Sequence, residues 1–131
     1  MNLWTSVVSL QRLQDPYRLS TWDGNPEPIT RREVKAAIES RRLIACWHGG
    51  YTREGHIQRI AYFVVDGWRA PVVVFPRANP PVFDGLHRLA AAIYRKQDWI
   101  LTHFRDDEKM EDIKRRLNVY EFDPPDQADP G

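Results

Sequence analysis

Residues 82–94, VFDGLHRLAAAIY, change hydrophobic period within a few positions, and that change limits the folds open to the chain. Before Asp84 the run is short, apolar and β-branched or aromatic, as a buried strand requires. After Gly85, residues Leu86, Leu89, Ala90 and Ile93 fall at i, i+3, i+4 and i+7, one apolar stripe on a helix. Strand therefore passes to helix through Asp84-Gly85 with no linker between them. The helix, expected from about residue 85 to 96, must lay its stripe on another layer, which places the chain among α/β folds.

The rest of the sequence supplies those layers. Residues 3–10, LWTSVVSL, read as a short strand, and Pro16, Gly24, Pro26 and Pro28 mark the loop that follows. Thr30 and Glu33 have capping-box spacing, so a helix is expected from Thr30 to about Ser40, with Val34, Ala37 and Ile38 on its apolar face. RLIACWH, residues 42–48, is expected as a strand ended by Gly49-Gly50. Residues 57–65 fit a helix through Ile57, Ile60, Ala61 and Val64, with Gly67 placed to stop it, although IAYFVV would also suit a strand. PVVVF (71–75), PVF (81–83) and DWILTHF (98–104) read as strands. Residues 106–120 put acids first and bases last, with Met110, Ile113 and Leu117 on one face, as a helix dipole favours. The polar, proline-rich tail 123–131 is expected to be disordered, leaving one domain over residues 1–122.

At the turn itself the residue types matter more than the pattern. A helix start leaves unpaired amides and partial positive charge, which suits an anion. Gly85 lets a ligand approach the backbone. With Leu86 and Leu89 directed to the core, His87 and Arg88 are expected on the open face of the first turn. Arg88 can fork onto phosphate oxygens, and His87 can donate to a phosphate or move a proton. Asp84 can hold a metal ion, orient His87 or receive a proton. The plainer alternative is an Asp84 N-cap, a glycine that eases the turn, and two solvated side chains.

Composition narrows the partners. Nineteen basic residues against 18 acidic give a net charge of +1, so neither nucleic acid nor an anionic membrane is demanded. No run approaches the roughly 18 apolar residues of a membrane span, and Cys46 as sole cysteine suits a reducing, cytoplasmic setting. Cys46 in LIACW is expected as a small core residue; with His48 and His56 it matches no standard zinc spacing. His48–Arg53 read as an ordinary connection or as a flap over a ligand. His56 and Arg59 lie one turn apart, on a solvated face or near the phosphate turn. Trp47, Trp68 and Trp99 are expected in the core. Arg31, Arg32, Lys35, Arg41 and Arg42 form one basic cluster, and Lys114, Arg115 and Arg116 a second.

VFDGLHRLAAAIYRKQDWI resembles the strand–turn–helix signature of the ParB/sulfiredoxin superfamily, whose members carry G-x-H-R, D-G-Q-H-R or G-E-R-R at this turn. The order of elements over about residues 30–104 is similar as well. The resemblance implies a small mixed sheet flanked by helices, with nucleotide phosphates bound by Gly85, His87 and Arg88. It further implies a nucleoside triphosphate, ATP or CTP, with Mg²⁺ at Asp84, and hydrolysis or phosphoryl transfer in which Asp84 and His87 handle the proton or the metal. Leu86 stands where sulfiredoxins carry their catalytic cysteine, so sulfinic acid reduction is not expected. In this sequence, no DNA-binding helix-turn-helix or dimerisation segment is read after the fold, so action as a ParB clamp is not expected. Two other expectations remain: a regulatory or interaction module without catalysis, and a DNA-associated accessory protein acting through the first basic cluster.

Overall fold

Along β1 (Asn2–Ser6), buried Leu3 and Thr5 alternate with more accessible neighbours, the period of a strand covered on one face. β1 lies between β4 (Trp99–His103) and β5 (Val119–Tyr120), antiparallel to both, with Leu3 opposite Thr102 and Trp4 opposite Tyr120. β2 (Val72–Val74) runs parallel to β4, and β3 (Val82–Asp84) closes the edge antiparallel to β2. The result is a five-stranded mixed sheet in the order β3-β2-β4-β1-β5. This computed structural model describes residues 1–18, 22, 27–46 and 52–120.

Among the described residues five helices accompany the sheet: α1 (Val7–Leu13), α2 (Arg31–Glu39), α3 (Arg53–Asp66), α4 (Leu86–Tyr94) and α5 (Met110–Arg116). One core joins the sheet to α1 and α5 through Leu3, Leu10, Val72, Ile100, Phe104 and Ile113. A second lies among Ile29, Val34, Ile57, Ile60 and Ala61. α4 belongs to both: Leu89 and Ala92 enter the first, Ala90 and Ala91 the second. That double burial accounts for the alanine run, since a helix enclosed on two sides has room only for small side chains at several successive positions.

The α2–α3 pair is held from its ends. Thr30 and Glu33 form the expected capping box, and Glu33 also accepts both terminal nitrogens of Arg53 at the start of α3. That guanidinium holds the Glu33 carboxyl below its ordinary range. The helical reading of residues 57–65 agrees with α3, which runs from its Thr52 cap to Gly67 at φ 74°.

Three expectations change. Residues 3–10 divide between β1 and α1, because Ser6 ends the strand and its hydroxyl accepts from the Ser9 amide to start the helix. The helix expected within 106–120 spans only Met110–Arg116, and Val119–Tyr120 pair with β1 as a strand too short to show a period. The strand expected over 42–48 is absent among the described residues 42–46. Arg41 leaves α2 at φ 59°, and the Ile44 amide donates to the Gln58 carbonyl of α3, which ties the segment to that helix instead of the sheet. Residues 47–51 and the tail 123–131 lie outside the described residues. No helix among the described residues is long and apolar enough to cross a membrane.

Candidate functional site

Asp84 ends β3, and Gly85 turns the chain at φ 102° and ψ 22° into α4. This left-handed backbone disfavours any residue with a Cβ. Space makes the same demand, because a Cβ on Gly85 would stand 2.9 Å from Nη2 of Arg88. Gly85 rather than Asp84 occupies the capping position, and no side chain caps the first turn.

Arg88 is not on an open face: it is 8% exposed and lies beneath the turn. Nη1 donates to the carbonyls of Ala70 at 2.7 Å and Pro71 at 3.1 Å, the approach to β2. Nη2 stands 3.4 Å from the Asp84 carboxylate, which is itself 67% exposed. The expectation failed because α4 is covered on both sides, so its apolar stripe does not leave the rest of the helix to solvent. Burial lowers the Arg88 pKa, Asp84 opposes the shift, and Arg59 adds to it.

His87 is half-buried, not on an open face. It stacks on Trp22 at 4.7 Å between ring centroids, while His56 from α3 stacks on the same indole at 4.6 Å. Nδ1 of His56 and Nε2 of His87 share a hydrogen bond of 3.0 Å, so one imidazole donates to the other. Trp22 is held in turn by donation from its Nε1 to the Pro16 carbonyl at 2.8 Å. Burial is the main cause that lowers the His87 pKa to about 3; His56, Arg59 and Arg88 add their charge. At neutral pH His87 is therefore uncharged and a weak base, poorly matched to general base catalysis.

These groups line a cleft of about 630 Å³. Arg59, Arg69 and Arg88 line it from three separate segments of the chain, and Asp84 is the one carboxylate among its described lining residues. With His87 neutral, the three arginines and one carboxylate leave the wall a surplus of positive charge, which an anion would relieve. A second cleft of about 590 Å³ makes no such demand, because Arg77, Arg105 and Lys109 face Asp107, Glu108 and Asp112. Two ion pairs, Arg77–Asp112 and Arg105–Asp107, already close that set.

Of the sequence-derived site residues, Asp84, Gly85, His87 and Arg88 converge on the first cleft, joined by His56 and Arg59. Sequence reasoning missed Trp22; its position in a Pro- and Gly-rich loop hid it, although a large aromatic in such a loop is itself a signal for packing. Cys46 is exposed, not part of the core, since the segment that carries it is not a sheet strand. Leu86 packs against both cores as expected, as does Trp68, while Trp99 meets Tyr120 edge-on. Trp47 and His48–Tyr51 fall outside the described residues.

A metal has limited protein ligation here. Among the described residues no three His, Cys, Asp or Glu side chains converge. The lone Asp84 carboxylate fits Mg²⁺ only in the manner usual for nucleotide sites, with one carboxylate and the remaining ligands from phosphate and water. Comparison with protein-family models, with curated proteins and with solved structures found no match.

Proposed function

We propose that the chain is a ParB/sulfiredoxin-type domain that binds the phosphates of a nucleoside triphosphate in the cleft at the start of α4. One observation carries the reading: an uncapped helix start behind a left-handed glycine opens on a cleft lined by three arginines and one carboxylate. The helix amides and the surplus charge favour the same kind of ligand. Gly85 admits the phosphate chain to the backbone, and His87 offers a neutral contact. Arg88 contributes charge from beneath the turn, since its Nη1 is taken by two carbonyls. Mg²⁺ would be held by Asp84 and supply charge neutralisation of the phosphates.

The low basicity of His87 weighs toward binding over turnover, and any proton transfer falls to Asp84. The test is thermal unfolding with ATP, CTP, GTP, UTP and pyrophosphate, each with and without Mg²⁺. A nucleotide at 100 times its Kd should add about 2.7 kcal/mol of stability. Stabilisation by at least one triphosphate, reduced in Asp84→Asn only when Mg²⁺ is present, is the expected outcome. No stabilisation by any triphosphate, in either condition, would refute the reading.

A further inference from the structure

Arg59 lies in the middle of α3, where the sequence placed it either on a solvated face or near the phosphate turn. Its position in the fold is more specific. Nη1 donates to the carbonyl of Ile44 at 3.1 Å and also to that of Ala45. The guanidinium carbon stands 4.3 Å from the Phe63 ring centroid and 5.5 Å from that of Tyr62. One nitrogen is thus pinned, and the guanidinium is held against aromatic rings. Nε and Nη2 have no hydrogen-bond partner among the described residues.

Those two nitrogens form the edge that meets a phosphate or carboxylate with two parallel hydrogen bonds. A guanidinium fixed by packing has less freedom to lose on forming them. Arg59 lines the cleft, and its charge reaches the start of α4, where it lowers the pKa of both His87 and Arg88. Two cations lining one cleft, with one exposed carboxylate among its described lining residues, leave an anion as the missing partner. Arg88 cannot meet such an anion with both terminal nitrogens, since Nη1 is already on carbonyls.

We infer that Arg59 is the anion clamp of this cleft, gripping two oxygens of a phosphate through Nε and Nη2 while Nη1 stays on the 44–45 backbone. The inference rests on the phosphate-binding reading and assigns the bidentate contact within it. It also makes residues 44–45 part of the site, because their carbonyls orient the clamp.

The experiment is calorimetric titration of pyrophosphate into the full chain and into Arg59→Lys, Arg59→Gln and Arg77→Gln. Arg59→Lys keeps the charge and loses the fork, and should weaken binding about tenfold or more. Arg59→Gln should weaken it further. Arg77→Gln, in the other cleft, should stay within about twofold of the unmodified chain. Should the Arg59 variants fail to fold, the Arg59 Nε–H resonance of the unmodified protein carries the test, and it should shift and exchange more slowly with pyrophosphate. Binding that Arg59→Lys leaves intact, or an Nε–H signal unmoved at saturation, overturns the clamp and leaves the phosphate reading standing. No binding to the unmodified chain overturns both.

Discussion

Lowering the pH from 7.5 to 5 should destabilise this fold through His87. Its ordinary value is 6.5 and its folded value about 3, so between these limits the unfolded chain binds a proton that the native state refuses. Stability rises with pH wherever the unfolded state binds more protons, so this group leaves stability untouched above about pH 7 and erodes it as pH falls through 6.5. At pH 5 the unfolded histidine is almost fully protonated and the folded one almost not at all. The difference amounts to about 2 kcal/mol at pH 5 relative to pH 7.5. The figure barely depends on the folded pKa, because pH 5 lies well above it.

Urea unfolding at half-unit pH steps measures the effect, and about 2 kcal/mol corresponds to a midpoint shift of about 0.7–2 M. His87→Gln removes the titration while leaving an amide that can bond His56. Its midpoint should fall less steeply over the same interval, by the amount attributed to His87. The two proteins share every other titrating group of the chain, so the difference between their slopes reports His87 together with its effect on hydrogen-bonded His56. Parallel curves for the two proteins, or a His87 ring resonance that titrates near 6.5 in the native state, would refute the reasoning. Either result would place the imidazole in water rather than under Trp22.

Three further outcomes follow from the same turn and its neighbours. Gly85→Ala should destabilise the chain by about 1–3 kcal/mol in urea unfolding, from a strained backbone and a Cβ against Arg88. Arg88→Ala should lower stability by about 1.5–3 kcal/mol with no ligand present, because the Ala70 and Pro71 carbonyls lose a charged donor; an unchanged midpoint would make Arg88 a ligand contact only. Cys46, being exposed, should be alkylated by iodoacetamide in the native protein, and Cys46→Ser should leave thermal stability and triphosphate binding in place; protection of the thiol by bound nucleotide would bring it into the site.

The sequence made visible those features that depend on one repeat or one cap. The Thr30–Glu33 box, the stop at Gly67, and the strand–turn–helix at Asp84-Gly85 are local, and each appears where its residues stand. What stayed hidden depends on having two neighbours at once. A stripe at Leu86, Leu89, Ala90 and Ile93 defines one buried face and suggests that the remainder is wet, yet α4 has the sheet on one side and the α2–α3 pair on the other. The alanine run was the available signal, since three successive buried alanines exceed what one face can hold.

The same geometry separates two arginines that look alike in sequence. Arg88 stands in the motif and reads as the ligand contact, but a guanidinium buried beneath a turn must satisfy its donors locally, and the open carbonyls of Ala70 and Pro71 do so. Arg59 stands in no motif, and its Nη1 is satisfied by a segment that could not become a strand. If the Ile44 and Ala45 carbonyls paired in a sheet, Arg59 would lose the anchor that fixes its orientation. The failed strand and the placed guanidinium are therefore one structural fact. A motif identifies the residues of the turn, whereas Arg59, the residue we propose to grip the anion, comes to the cleft from α3 and is found only once the fold is in place.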